Sequence, residues 1–308
     1  MHTTPTDVGA GTPATPADHG TLGRAASVAR SQAGRAARAA EPLHAMGYFA
    51  AEMEAALTAT GLRPGRMAYF ASRSAALGRV APATTAATFY NFNPELVARH
   101  IPRAWTLAEP SAVIAARFEG AAAALRRLLG QAHASAEFAE FGALARASLI
   151  DLDPAGRPLY AAHAALSWPD DPVAVTWHAL TLIREYRGDG HLAALLGAEL
   201  SGIEAILTHT ATGRGFLEPT AKRLRGWSDE QWQAAADGLV ERGILAADGA
   251  LTSSGVQLRA DVEHATDRMA AKLWRTLGEG RTDRFIELGK AFSRTAVGNG
   301  AFPPGIFA

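Results

Sequence analysis

The sequence contains no cysteine, and no uninterrupted apolar run approaches the roughly 18 residues that are needed to cross a bilayer. The absence of cysteine excludes disulfides, thiolate nucleophiles, iron–sulfur clusters and cysteine-based zinc sites. The N-terminus also lacks the apolar core of a signal peptide. We therefore expect a cytoplasmic protein with no membrane partner, in which any metal or haem is held by His, Asp, Glu, Met or Tyr.

The chain also lacks a surplus of charge, because its 308 residues include 30 basic and 30 acidic side chains. A dedicated DNA-binding protein usually has a basic surplus on at least the domain that reads the DNA. The length and the 48% of hydrophobic residues suffice for two domains with one or two apolar cores. Since β-branched runs are scarce, we expect a mostly α-helical fold.

Proline, glycine and the hydrophobic periodicity divide the chain into four predicted regions. Residues 1–40 are expected to be a solvated tail, which begins with a disordered Thr/Pro-rich mixture and continues into an Arg/Ala-rich stretch that forms at most a frayed helix. Residues 41–213 carry helical apolar stripes and are expected to form a helical ligand-binding domain. Residues 214–277 predict a winged-helix domain, and residues 278–308 a C-terminal extension that is partly helical and then Gly/Pro-rich.

The winged-helix prediction depends on the order of short elements after residue 214. Ser228 is a good N-cap and is followed by two acids, which is typical of the first turn of a helix. The pair Asp248-Gly249 favours a tight hairpin turn, and a further helix is predicted from Ser253. Two helices, a short hairpin and a helix in this order are typical of a winged helix.

Several segments resemble a known family. ERGILAADGALTSSGVQLR (241–259) resembles the end of the reading helix, the wing and the next helix of MarR-like proteins. From about residue 44 to residue 277 the chain resembles an actinobacterial family of uncharacterised helix-turn-helix proteins. The segments that carry this likeness are LHAMGYF (43–49), AYFASRSAALG (68–78), TFYNFNP (88–94), TWHALTLIREYRGDGH (176–191) and RGWSDEQW (225–232). The resemblance implies a helix-turn-helix fold and implies no particular reaction.

The charge of the predicted winged helix argues against DNA as its partner. Residues 214–270 hold seven basic and nine acidic side chains, a net charge of −2. The expected reading helix, residues 228–242, holds four acids against Arg242 alone. Phosphate contacts supply most of the affinity of proteins for DNA, and they require cations or N–H donors. We therefore expect the winged helix to act as a scaffold or as a dimer element in a homodimer.

A polar constellation at residues 177–191 is the strongest candidate site. A helix is expected to stop at Gly188, so that Asp189 caps a second helix over 190–211. The candidates for acid–base catalysis are His191, Glu185 and His178, with Arg184 and Arg187 as ligand-binding cations. The alternative is structural, with a capping aspartate, an Arg187–Glu185 pair and a histidine that closes the turn.

The segment TFYNFNP (88–94) combines aromatic side chains with amides, as a pocket for a small molecule does. The ligand-binding candidates of this pocket are Tyr90, Asn91 and Asn93, joined by Arg73 and His44. The alternative is a turn in the core, in which Asn93 caps the helix that opens at Pro94.

Ten histidines suggest a metal or haem, yet the sequence contains no HxH, HxxxH or HExxH spacing. On a single helix over 190–211, His191 and His209 would lie about 27 Å apart and could not share an ion. A metal or haem protein that uses His178 or His191 stays one alternative, with the cofactor unknown.

The sequence as a whole favours a helical protein that binds a small molecule, either an enzyme or a ligand sensor. A ligand-responsive transcription regulator of MarR type is the alternative.

Overall fold

The computed structural model describes residues 19–305, with side chains from residue 32 onward, and these residues are almost entirely helical. Their fifteen α-helices are α1 His19–Ala45, α2 Ala51–Ala59, α3 Arg66–Ser74, α4 Pro82–Phe89, α5 Pro94–Ala98, α6 Ala104–Leu107, α7 Pro110–Leu129, α8 Ala136–Ala147, α9 Pro158–Ala164, α10 Pro172–Gly197, α11 Gly202–Thr210, α12 Glu218–Arg225, α13 Asp229–Glu241, α14 Ser253–Leu277 and α15 Glu279–Gly298. Single 3₁₀ turns cover Met46–Tyr48, Ala75–Leu77 and Gly130–Ala134. The only β pairing within these residues is an isolated antiparallel bridge between Leu245 and Leu251. The expectation of a mostly α-helical fold is confirmed.

The prediction of a solvated tail over residues 1–40 is wrong for its described part, which is a packed helix. Helix α1 begins at His19, and from residue 32 it packs along α14 and α15. Ala33, Ala36 and Ala39 are buried, and a Cβ on Gly289 would lie 3.2 Å from the carbonyl oxygen of Ala39. Alanine is the best helix former, and its small side chain lets two helix backbones approach closely. Residues 1–18 lie outside the described part of the chain.

Helix α10 lies at the centre of a helical body, and it packs against α1, α7, α8, α9 and α14. The large side chains at the centre of this body include Trp177, Phe141 and Phe285, each at most 1% exposed. Since α15 contributes Phe285 and Phe292 to this core, residues 278–298 are an integral part of the body rather than an extension. The body is therefore formed by two separate stretches of the chain.

A second, smaller apolar core lies between these two stretches. It is formed by the last turns of α10, by α11, α12 and α13, and by the first half of α14. Trp232 and Leu239 of α13 are buried in it together with Leu245, and Leu251 across the bridge is partly buried against it. We call residues 192–262 the helix-turn-helix module. It begins ahead of residue 214, where the sequence analysis placed the domain boundary.

The predicted helix break at Gly188-Asp189-Gly190 is wrong, because α10 continues through it to Gly197. Asp189 instead accepts a hydrogen bond from the backbone N–H of Tyr160, 2.9 Å away, and so caps the first turn of α9. Gly190 makes room for a neighbour, since a Cβ at this position would lie 2.9 Å from a guanidinium nitrogen of Arg157. Gly190 therefore serves close packing, a role that the sequence alone does not distinguish from a helix break.

Helix α10 ends at Gly197, shortly before a capping box that Ser201 and Glu204 form at the start of α11. The Ser201 hydroxyl accepts from the backbone N–H of Glu204, and the Glu204 carboxylate accepts from the N–H of Ser201. Helix α11 leaves α10 at an angle of 99°. A single helix over 190–211 is thus a second wrong expectation, and His209 turns back close enough to lower the pKa of His191.

The segment predicted as a winged helix contains α12, a short turn, α13, the Leu245–Leu251 bridge and α14. Ser228 caps α13 as expected, and its hydroxyl accepts from the backbone N–H of Gln231 at 3.1 Å. No single helix in the range 19–305 has the length and hydropathy of a membrane span; the bent pair α10–α11 meets those two criteria by length and composition alone.

Candidate functional site

An open cleft of about 1870 Å³ separates the helical body from the helix-turn-helix module. One wall consists of α1, the Met46–Tyr48 turn, α2 and α3 of the body. The other consists of α11, α12, the loop between them and the first half of α14. Helix α10 forms the floor and contributes Arg184, Arg187 and His191. The cleft is therefore a space that neither half of the molecule encloses alone.

The TFYNFNP segment is the joint that fixes the module against the body. Asn93 caps α5 by accepting from the N–H of Glu95 at 2.9 Å, and its amide nitrogen donates to the carbonyl of Gly226 at 3.0 Å. Its backbone N–H donates to the carbonyl of Arg225 at 2.9 Å. The indole N–H of Trp227 donates to the carbonyl of Asn91 at 3.0 Å. These bonds place the C-terminal end of α12, and with it the side chain of Arg225, at the cleft.

The centre of the cleft holds a charge-paired group that we call the Glu185 network. The Glu185 carboxylate is 3% exposed and lies 3.3 Å from both the Arg73 and the Arg184 guanidinium groups. Arg184 also donates to Glu41 at 3.0 Å. Burial raises the pKa of Glu185, but the two guanidinium groups outweigh it and hold the pKa at about 2. Glu185 therefore stays ionised, and in this state it is a poor proton donor or acceptor near neutral pH.

A second charge-paired group, the Arg187 network, joins α10 to α14. Arg187 donates to Glu263 and to Asp267, each at 3.0 Å, and Arg259 lies 3.6 Å from Glu263. Two guanidinium groups therefore face two carboxylates. Beside them, Nδ1 of His191 lies 2.8 Å from the Thr266 hydroxyl, whose own proton goes to the carbonyl of Val262.

His191 is uncharged at neutral pH because of its surroundings. Burial and the guanidinium groups of Arg187 and Arg259 lower its pKa to about 4, against an opposing effect of Glu263. Since the Thr266 hydroxyl already donates elsewhere, the neutral ring must carry its proton on Nδ1 and donate it to Thr266. His191 is thereby held in one orientation by α14.

The third group, which we call the Arg225 end, has more positive than negative charge. The Arg225 guanidinium packs over the rings of Phe92 and Phe216, with centroid distances of 4.3 and 5.2 Å. It forms no ion pair with any residue from 32 to 305, and its Nε has no hydrogen-bond partner there. Burial lowers the pKa of Arg225 to about 10, so the guanidinium still carries its charge.

Two further groups that line the cleft come from the body, Arg66 near Arg225 and Tyr48 beside the Glu185 network. The Arg66 side chain donates only to a carbonyl oxygen, that of Arg223 at 3.1 Å. The Tyr48 hydroxyl is buried between Arg73 and Arg184, both 5.4 Å from its ring centroid, and has no partner among the described side chains. Its neighbour Tyr69 accepts from Arg73 at 3.1 Å. Arg225 and Arg66 thus have no carboxylate to meet them, and the Tyr48 hydroxyl in the neighbouring Glu185 network has no hydrogen-bond partner among the described side chains.

The structure brings together most of the residues that the sequence singled out. Those that line the cleft are His44, Arg73, Tyr90, Asn91, Arg184, Glu185, Arg187 and His191. His44 stacks on Trp177 at 4.9 Å and its Nε2 contacts the Thr181 hydroxyl at 3.1 Å. Asn93 does not line the cleft, because it is bound in the joint.

His178 also lies apart from the cleft, inside the helical body. It packs edge-on between Phe118 and Trp168, with centroid distances of 5.2 and 4.8 Å. Neither ring nitrogen has a partner among the described residues, and burial lowers its pKa to about 4. The expected meeting of His178 with Glu185 and His191 at one site is therefore absent. In the range 19–305 no three His, Asp or Glu side chains are arranged to hold a metal ion.

Sequence reasoning assigned no role at a site to Arg225 or Arg66. Arg66 lies in a segment with no distinctive pattern, and Arg225 opens the segment RGWSDEQW (225–232), 159 residues further along the chain. Arg225 immediately precedes Gly226, the left-handed C-cap of α12, which is a readable helix end but not a sign of a site. Their common function depends on the joint at Asn93, which brings α12 to the body.

Comparison with known families gives one finding. A family model described as a helix-turn-helix family matches residues 33–303. Comparisons with curated proteins and with solved structures found no match. The matched range includes the buried part of α1 and the whole of α15, so it covers the helical body as well as the helix-turn-helix module.

Proposed function

The chain belongs to this helix-turn-helix family, and we propose that it binds a small molecule in the cleft between its helical body and its helix-turn-helix module. One observation carries the proposal. The cleft is large enough for an organic ligand, and the Arg225 and Arg66 guanidinium groups at one end have no carboxylate partner among residues 32–305, with Arg225 Nε left without any hydrogen bond. Buried polar groups in folded proteins are normally hydrogen-bonded, so such a cluster in a cleft indicates a ligand.

The geometry favours binding over acid–base catalysis. Glu185 is held between two guanidinium groups with a pKa of about 2, and His191 donates to Thr266 with a pKa of about 4. Neither value is near neutral pH, where a general acid or base is most effective. A ligand sensor is therefore better supported than an enzyme.

The winged-helix arrangement is part of this proposal, with a structural role. We take α12 and α13 as its two helices and the Leu245–Leu251 bridge as a short wing. In this role the module forms one wall of the cleft, so a bound ligand would set its position relative to the body. The homodimer expected from the sequence stays a prediction.

The proposal is tested with a neutral probe, whose binding does not depend on the charges in the cleft. Ala260 lines the cleft on α14, and Ala260→Trp should fill part of it. Nile red should become fluorescent with the wild-type chain and should do so far less with Ala260→Trp. Ala87→Trp, on the exposed surface of α4 away from the cleft, is the matched control and should behave as wild type. Equal Nile red fluorescence with all three proteins would contradict a ligand cleft at this place.

A DNA-binding regulator is the second candidate, and family membership favours it. The exposed surface of α13 opposes it, because Asp229, Glu230, Asp237 and Glu241 are all exposed. The basic residue that follows them, Arg242, is paired with Glu204 at 2.8 Å. We expect no specific duplex binding at about 150 mM salt, where few phosphate contacts survive without cations.

A gel-shift experiment with the region upstream of its own gene separates the two candidates. Nanomolar binding to one sequence at that salt concentration, lost when the exposed residues of α13 are changed, would make DNA the partner after all.

A further inference from the structure

We infer that the ligand of the cleft is an amphipathic organic acid, with its carboxylate at the Arg225 end and an apolar body along α10 and α11. The inference rests on the proposed function and adds the chemical class of the ligand. Three observations carry it: the local excess of cations, the geometry of the Arg225 guanidinium, and the apolar lining beside it.

The arginine side chains near the Arg225 end outnumber the carboxylates that could pair with them. Arg73 and Arg184 are paired with Glu185 and Glu41, which balances two positive with two negative charges. Arg225 and Arg66 remain without a carboxylate among residues 32–305. Both side chains are partly buried, and an anion in the cleft would supply the charge partner that the protein does not.

The geometry of Arg225 favours a planar acid group. Phe92 and Phe216 pack against the guanidinium at 4.3 and 5.2 Å, so the N–H groups at its edges remain for hydrogen bonds. A carboxylate matches such an edge with two parallel bonds. The Tyr48 hydroxyl, which lines the same cleft and is buried without a partner among the described residues, offers a further donor.

The apolar body follows from the side chains next to this end. Beyond Arg225 the cleft is lined by Leu192, Leu195, Ile206, Phe216 and Leu224. Leu195 and Ile206 are 3% and 4% exposed, so this part of the lining is continuous with the module's apolar core. An inorganic anion would leave that surface in contact with water, whereas an acid with an apolar body would cover it.

The test compares acids with neutral compounds of the same shape. The full-length protein is titrated with 4-phenylbutanoate and 4-phenylbutan-1-ol, with decanoate and 1-decanol, and with inorganic sulfate. We expect each acid to bind at least about tenfold more tightly than its alcohol, because a charge-assisted hydrogen bond is lost in the alcohol. Sulfate should bind much more weakly than either acid.

Variants assign the preference to named groups. Arg225→Met should weaken the acids about tenfold and leave the alcohols unchanged, since only the charged contact is lost. Tyr48→Phe, which removes only the hydroxyl, should weaken the acids about threefold. The matched control is Arg223→Met, an exposed arginine on the same helix that does not line the cleft, and it should bind like wild type.

Four results would overturn the inference: alcohols that bind as tightly as acids, sulfate that binds as tightly as acids, acid affinity that survives Arg225→Met, or no binding of any acid. In each case Nile red decides the proposed function separately. If Nile red binds the wild-type chain and Ala260→Trp abolishes its binding, the cleft holds a small molecule and only the ligand class is wrong.

Discussion

The two ends of the cleft differ in how their charges are matched. In the Arg187 network two guanidinium groups meet two carboxylates across the α10–α14 contact. At the Arg225 end, two guanidinium groups meet none among residues 32–305. The ion pairs of the Arg187 network hold α10 against α14. The guanidinium groups at the Arg225 end have no such partner and can bind an anionic ligand. Polar residues in a cleft therefore indicate a binding site only when their protein partners are missing.

The largest effect is expected at Glu185, which links the two ends. Glu185→Gln leaves the buried Arg73 and Arg184 guanidinium groups without their shared charge, and it should lower the free energy of unfolding by about 3 kcal/mol. Denaturant unfolding measures this change. Glu263→Gln, at a carboxylate that is 45% exposed, should cost no more than about 1 kcal/mol. Equal losses in the two variants would mean that Glu185 is not the structural centre of the cleft.

The second effect is a pH dependence in the Arg187 network. The pKa of His191 is about 4 in the folded chain and 6.5 when unfolded, so only the unfolded chain takes up this proton between these values. The contribution of neutral His191 to the free energy of unfolding is therefore complete above pH 6.5 and is lost as the pH falls toward 4. At pH 4.5 the loss should be about 2 kcal/mol. His191→Gln keeps a donor for Thr266 and should lose this part of the dependence.

The measurement compares the free energy of unfolding of both proteins at pH 7.5 and pH 4.5. The difference between them isolates His191 from Asp189, whose raised pKa of about 6 acts in the opposite direction. Parallel pH profiles would show that His191 is already charged in the folded chain.

The third effect concerns Arg187 itself. Arg187→Met removes two hydrogen bonds of 3.0 Å, to Glu263 and to Asp267. Because both carboxylates are already partly exposed to water, the free energy of unfolding should fall by only about 1–2 kcal/mol. Urea unfolding, together with 4-phenylbutanoate affinity of the variant while folded, separates the two roles. If the acid affinity falls tenfold while stability is unchanged, the two ends have been assigned the wrong way round.

The smallest change in stability is expected at Arg225. Arg225→Met gives up ring contacts but also removes a charge that has no carboxylate partner, so stability should change by less than about 1 kcal/mol. The same urea titration measures it. A loss of several kcal/mol would show that the guanidinium supports the joint between the body and the module.

The helix starts were predictable because their signals are local. Pro82, Pro94, Pro110 and Pro172 each stand at the first position of a helix, and Ser228 caps α13 as expected. Proline at this position costs no hydrogen bond and has the required backbone angle, whatever the rest of the chain does. The capping box at Ser201 and Glu204 was equally readable and marks the true break after α10.

The remaining features depend on distant parts of the chain. Gly188 and Gly190 are typical of a helix end. Gly190 is needed inside α10, however, because the Arg157 guanidinium lies where a Cβ at this position would be. The alanines of α1 have the composition of a solvated tail, and only the packing of α15 against them shows that they belong to the core. Whether a cation is paired depends on every element around it. The sequence therefore pointed to Arg187, which is paired with Glu263 and Asp267, and did not point to Arg225.

The most direct measurement of the central claim observes the guanidinium groups themselves. In protein labelled with ¹⁵N-arginine, the side-chain Nε resonances of Arg225 and Arg187 are assigned from the Arg225→Met and Arg187→Met variants. On addition of 4-phenylbutanoate, the Arg225 resonance should shift in a saturable manner, because its Nε gains a hydrogen-bond acceptor. The Arg187 resonance should stay in place, because Arg187 belongs to the other network, where its Nη2 is held by Glu263 and Asp267 and the ligand brings no acceptor to its unpartnered Nε. A shift of Arg187 with an unchanged Arg225 would contradict the assignment of the ligand site.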